Sequence, residues 1–255
     1  MDFFGILFTI LTIVFVVIPV VGIVLLIRYV IKKSKADQPK HILEKEKNEL
    51  LTKARSKKSK LIDWRRDDLE NLSNDLDFNY SKGFTMRFNG TINSLNGERL
   101  IAFRRLDRGN FNTTSKIVAI SRNFEIYFSQ KQNEIAIYFD SKYLGKLIND
   151  DIIDHNQETI GKLNRRSSNK DYYIIELNKE QIAFVIKNSE RRTLLRNPFF
   201  DFRPSNALEV EPFDENPVSI SNTLRLYREL NDYEYHWILS LAIYEIIYYG
   251  IDFTQ

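Results

Sequence analysis

The arrangement of apolar and polar positions divides the chain into three parts. From Phe3 to Ile27 it reads FFGILFTILTIVFVVIPVVGIVLLI, 25 residues without a charge. As a helix at about 1.5 Å per residue this stretch reaches roughly 37 Å, against a hydrocarbon core of about 30 Å. A segment this apolar has no polar face to offer water, and lipid tolerates Pro19 and Gly22 in its second half. No small-x-small cleavage site precedes a polar start, so the pattern predicts a retained membrane span bounded by Phe3 and Ile27 rather than a cleaved leader. The anchor region is residues 1–35.

Residues 36–76 change to helical spacing. Pro39 suits a first helical turn, Glu46 and Glu49 stand four residues before Leu50 and Lys53, and Ile62, Leu69, Leu72 and Leu76 continue a thin apolar stripe. The stripe breaks across the run Lys53 to Lys60, KARSKKSK. A basic helical connector is expected, not a sustained coiled coil.

Beyond residue 77 the period becomes two. Phe124, Ile126 and Phe128 share one face, as do Ile135, Ile137 and Phe139, and then Ile182, Phe184 and Ile186. Further strands are expected at FTMRFNGTI, RLIAFRRL, KIVAIS, TIGKLNR and DYYIIELN, with turn residues between them. Many short strands at regular spacing predict a mainly β domain over 77–255, an antiparallel β-barrel. The last apolar stretch, YHWILSLAIYEIIYYGIDF, runs nearly unbroken only from Trp237 to Tyr249, 13 residues. That is about 20 Å of helix, too short to cross lipid, and Glu245 would cost on the order of 3 kcal/mol at a bilayer centre. A helix apolar on all sides is instead expected to be the barrel's buried plug, with Trp237, Leu241, Tyr244 and Tyr248 in the core and Glu245 held by a tyrosine, an arginine or the backbone.

Charge adds a topology. Asp2 precedes the apolar segment, and Arg28, Lys32, Lys33, Lys35 and Lys40 follow it, which places the N-terminus outside and the bulk of the chain in the cytoplasm of a single-pass protein. Lys32, Lys33, Lys35, Lys53, Arg55, Lys57, Lys58 and Lys60 are the candidate contacts to anionic lipid headgroups, each contributing about 1 kcal/mol near such a surface; the alternative reading is a solvated helix face. The net charge of +3 gives no reason to expect nucleic acid. The expected partners are the lipid bilayer, its anionic headgroups and a membrane protein.

Candidate chemistry changes little. The chain has no cysteine and three histidines, His41, His155 and His236, far apart in sequence, so no metal or other cofactor is expected. The acids Asp150, Asp151, Asp154 and Glu158 lack the spacing of a calcium loop and suit a polar hairpin. No nucleophile elbow, phosphate loop, dinucleotide fingerprint or zinc-protease motif occurs, and the expectation is a non-enzyme. An internal echo, YLGKLINDDII followed by ETIGKLNR, places Gly145 and Gly161 each before Lys-Leu, as at two related strand corners.

The succession IAIYFDSKYLGKL, DIIDHNQETIGKLNR and YYIIELNKEQIAFVIKN, closed by an apolar helix, resembles the tubby C-terminal-like superfamily, which includes phospholipid scramblases and LURP-one-related proteins. The resemblance covers about residues 78 to 253 and implies an antiparallel barrel around a buried C-terminal helix. It also implies lipid as the ligand class: phosphoinositide binding, for which Arg104, Arg105, Arg108, Arg165, Arg166, Arg191, Arg192 and Arg196 are the basic residues at hand, or scramblase-like lipid translocation. The expected function is a membrane-anchored lipid-headgroup or partner-binding module; the alternatives are an anchored enzyme acting on lipid or envelope material, or a translocator.

Overall fold

The structure is a computed structural model that describes residues 15, 17, 19–25, 28, 40–81, 85–108, 114–165, 172–186, 192–194 and 220–253. The chain divides into two compact units, 1–43 and 44–255. In the first, residues 19–25 are helical, and Phe15, Val17, Val20, Val21, Ile23, Val24 and Leu25 are all exposed. Most of the expected span Phe3–Ile27 lies outside the described residues, as do Lys32, Lys33 and Lys35. Among the described residues no helix is long and apolar enough to cross a membrane.

The second unit begins within helix α1 (Lys40–Arg55) and consists mainly of strands. These are β1 (Leu72–Ser81), β2 (Thr85–Ser94), β3 (Arg99–Arg108), β4 (Thr114–Ile120), β5 (Glu125–Lys131), β6 (Glu134–Phe139), β7 (Lys142–Ile148) and β8 (Asp151–Asp154). There follow β9 (Thr159–Asn164), β10 (Tyr172–Leu177), β11 (Glu180–Ile186), β12 (Arg192–Leu194), β13 (Leu224–Leu226), helix α2 (Asp232–Tyr244) and β14 (Ile251–Phe253). Strands β1 to β11 pair in sequence order and β13 follows β11, making a 12-stranded antiparallel sheet, while β12 and β14 form a separate parallel pair. The sheet nearly closes on itself: Thr223 N–H donates to the Leu72 carbonyl at 2.9 Å, and Asn74 N–H donates to the Ser221 carbonyl at 3.1 Å. The alternating pattern thus produces a barrel, the architecture that leaves the fewest strand edges open.

Tight hairpins set the strand registers. Asp140 and Ser141 have φ of 46° and 66°, and Asn178 and Lys179 have 52° and 69°, so both two-residue turns have the left-handed pair whose twist matches that of the flanking strands. Gly145 and Gly161 stand where neighbouring strands come too close for a side chain. A Cβ on Gly145, whose φ is +150°, would lie 2.2 Å from the Ile153 carbonyl, and one on Gly161 would lie 2.0 Å from that of Glu176. The repeated Gly-Lys-Leu therefore marks two close strand approaches on either side of the Asp154–Gln157 turn. In that turn the Asp154 carboxylate accepts from the Asn156 and Glu158 N–H groups at 2.8 and 2.9 Å, which accounts for the acid by hairpin geometry.

α2 lies inside the ring. It meets β5 through Phe128 and Tyr244, whose ring centroids are 5.5 Å apart, and β6 through Phe139 and His236 at 4.0 Å, while Glu245, just past its last residue, meets Tyr173 of β10. Every residue from Trp237 to Ile247 is buried, as expected for a helix without a polar face. Trp237, Leu241 and Tyr244 are core residues as expected; Tyr248 is half-buried and packs against the core, because it sits in the last turn, near the barrel's mouth. At its start Asn231 accepts from the Glu234 N–H while the Glu234 carboxylate accepts from the Asn231 N–H, a reciprocal cap. The Trp64 indole N–H donates to the Tyr235 hydroxyl at 2.6 Å, and buried Leu61 and Leu69 close this end.

The connector differs from the expectation of continuous helix through residue 76. α1 ends at Arg55, two short 3-10 turns follow, and Leu72, Leu76 and Phe78 are the buried apolar positions of a strand. A bulge between Leu72 and Leu76 inserts the polar stretch Ser73-Asn74-Asp75, which masks the alternation and leaves a leucine spacing that also fits a helix.

Candidate functional site

Two groups of side chains stand out as candidates: the strap made by α1, and a polar cluster around the end of the core helix.

The strap packs on the outer face of β4 to β6. Leu51 and Ala54 are buried there with Val118, Ile120 and Tyr127. The Lys47 ammonium lies 5.3 and 5.2 Å from the ring centroids of Tyr127 and Tyr138. Near the middle of α1 the Glu46 carboxylate pairs with both Arg108 and Lys116, whose side chain is only 9% exposed. Burial works against the charge on Glu46, but its two cations outweigh that and hold its pKa below the usual carboxylate range. At the C-terminal end of α1 the Arg55 guanidinium donates two hydrogen bonds to Glu125, at 2.8 and 2.7 Å, lowering the Glu125 pKa. Burial pushes the Tyr127 hydroxyl up to about 12, so it stays a neutral phenol against the strap.

The strap separates the expected headgroup contacts into kinds. Arg55 is engaged by Glu125, so its charge is largely spent within the fold. Lys53 and Lys60 are exposed, and Lys57 and Lys58 are half-exposed, following the helix into the first short turn. These four lysines form a compact basic stretch where α1 ends.

The second cluster gathers around a wider, π-type turn, Glu245–Tyr249, that continues α2. Such turns re-aim side chains that a regular helix would distribute differently. The Tyr173 hydroxyl donates to Glu245 Oε2 at 3.1 Å, and a terminal nitrogen of Arg165 lies 3.9 Å from the same oxygen. Arg165 also donates to the Tyr249 hydroxyl at 2.6 Å and stacks over the Tyr173 and Tyr249 rings. Glu245 therefore has the tyrosine and arginine partners that its burial requires. Burial holds the hydroxyls of Tyr173 and Tyr244 well above the ordinary tyrosine value, so both serve as neutral donors. Arg105, 5% exposed, is paired with Asp107 and donates to the carbonyls of Ile247 and Tyr248 at 3.0 and 2.9 Å, satisfying the helix end. The Tyr244 hydroxyl donates to Gln130, whose amide donates in turn to the Tyr248 hydroxyl.

Among the described residues, Arg104, Arg105, Arg108 and Arg165 do not form one open patch. Arg105, Arg108 and Arg165 are tied to Asp107, Glu46 and Glu245 respectively, and Arg104 is half-buried on β3. Arg192 lies in β12, and Arg166, Arg191 and Arg196 fall outside the described residues. Among the described residues no group of three or more acids and histidines is placed to hold a metal ion. The clasp of Glu46 with Lys116 had no sequence signal beyond the helical phase of Glu46 and Leu50, because its partner lies 70 residues away. No protein-family model, no curated protein and no solved structure matches this chain.

Proposed function

We propose that the chain is a single-pass, membrane-anchored binding module, with its N-terminus outside and its barrel on the cytoplasmic side, where the basic stretch ending α1 engages anionic lipid headgroups. The observation that carries this reading is the uncharged run Phe3–Ile27 with cations on one flank only; its described residues, Phe15 to Leu25, leave apolar side chains from 44% to 71% exposed. Water would penalise such a surface and a bilayer would cover it. Support for a binding module comes from the domain behind the anchor. Among the described residues its interior is occupied by α2, and the buried Glu245 and Arg105 are engaged within the fold by Arg165 and Asp107. The barrel around a closing helix is also the architecture that the tubby-like resemblance implies.

Two measurements test the reading. The full chain is expected to stay with membranes through alkaline carbonate extraction, and deletion of residues 1–35 to release it; a released full chain would overturn the anchor. The deletion variant is expected to sediment with vesicles containing phosphatidylserine but not with pure phosphatidylcholine. Each Gln substitution at Lys53, Lys57, Lys58 or Lys60 is expected to weaken that binding by roughly fivefold at low salt. Equal binding to both vesicles would remove the headgroup reading and leave a protein partner as the ligand.

A further inference from the structure

A small, partly open cavity of about 10 Å³ lies at the barrel seam, lined by Asn74 of β1, Ile186 of β11, Ser221, Asn222 and Thr223 before β13, and Glu245 and Ile246 of the turn that continues α2. Thr223 is 3% exposed, and its hydroxyl, fully shielded from solvent, has no hydrogen-bond partner within the protein. Its backbone is spoken for: the N–H donates to Leu72, and the carbonyl accepts from Ile186 N–H at 2.8 Å. Glu245, which lines the same cavity, is 5% exposed, and a carboxylate oxygen can accept more than one hydrogen bond. A buried hydroxyl without a partner is costly, and a polar cavity of this volume has room for about one water molecule.

We propose that the seam cavity is a binding site for one structural water, which accepts from or donates to the Thr223 hydroxyl and donates to the Glu245 carboxylate. The water joins the last barrel strand to the core helix where the ring is completed by few direct hydrogen bonds. It gives the wide turn at Glu245 a reason for its position: the carboxylate reaches Tyr173 and Arg165 on one side and the seam on the other.

The sign of a substitution separates a wet cavity from a dry one. Thr223→Val keeps the shape and removes the hydroxyl. With a bound water, the variant of the full chain in detergent is expected to lose about 2–4 °C in Tm, and Thr223→Ser to lose less. If the cavity is dry, Thr223→Val removes an unsatisfied buried group and Tm stays level or rises, which would overturn the proposal. Water-to-amide nuclear Overhauser transfer at Thr223 in the unsubstituted protein is expected to reveal a long-lived water; its absence would overturn the proposal even if Thr223→Val fails to fold. A Tm that depends on whether sodium, potassium or choline is the cation at equal ionic strength would also overturn it, in favour of a bound monovalent cation.

Discussion

Leu241 on α2 and Glu245 at the start of the π-type turn that continues it lie four residues apart, and both are almost wholly buried, at 1% and 5% exposed. Leu241→Asp would place a carboxylate with no cation beside it among apolar side chains. The full chain carrying it is expected to lose the cooperative thermal transition of the barrel, and a native-like transition would show that the helix is less enclosed than its burial says. Glu245 belongs in the same core because it brings its partners with it. Glu245→Ala removes the acceptor of Tyr173 and the near charge of Arg165, and is expected to cost about 3–5 kcal/mol by denaturant unfolding. Glu245→Gln keeps an acceptor for Tyr173 and is expected to cost clearly less. That Glu245 needs partners is legible from the sequence, since an acid sits in an apolar helix. Their identities are not, because Tyr173 and Arg165 lie 72 and 80 residues earlier and meet it only when the barrel closes.

At the scale of elements, α1 is held by a small apolar contact and by ion pairs near its middle and at its C-terminal end, so its docking depends on charge more than the core does. Glu46→Ala leaves the buried Lys116 ammonium without its carboxylate, and is expected to cost about 1–3 kcal/mol and to raise hydrogen exchange in α1 before the strands. Since the folded-state pKa of Glu46 lies below its ordinary value, its contribution is complete above the ordinary glutamate range and is lost as pH falls through the lowered value. Acid titration of α1 protection should therefore show a strap released below that range, and Glu46→Ala should abolish the pH dependence. β5 and β6 are readable in the sequence because their alternate apolar positions, Ile126 and Phe128, then Ile135, Ile137 and Phe139, form the core face. β4 is buried on both faces, and β11 buries Ile182, Ala183 and Val185 rather than the expected Ile182, Phe184 and Ile186, beside a register shift in its pairing with β10. β1 is not readable, since its bulge breaks the period and its leucines fit two kinds of element. The close approaches at Gly145 and Gly161 were readable as corners, but not which carbonyl each would meet.

In the barrel domain, the ring and its core helix depend on each other: the strands' apolar faces are covered by α2, and Tyr244, Glu245 and the Ile247 and Tyr248 carbonyls at the helix end are met by strand side chains. α2 comes after every strand of the ring in chain order. A ribosome adding roughly 5–20 residues per second needs roughly 10 to 35 s to pass from Leu72 to Tyr249. Throughout that interval the nascent strands have apolar faces and pairing edges but no plug, the condition in which β segments associate with other chains or recruit chaperones. Chains stopped at Leu230 are expected to be degraded within the dead time of a mild protease treatment, while full chains resist, and a resistant truncated barrel would show that the ring forms before its centre. Translation order thus makes the final turns of this protein the checkpoint for everything synthesised before them.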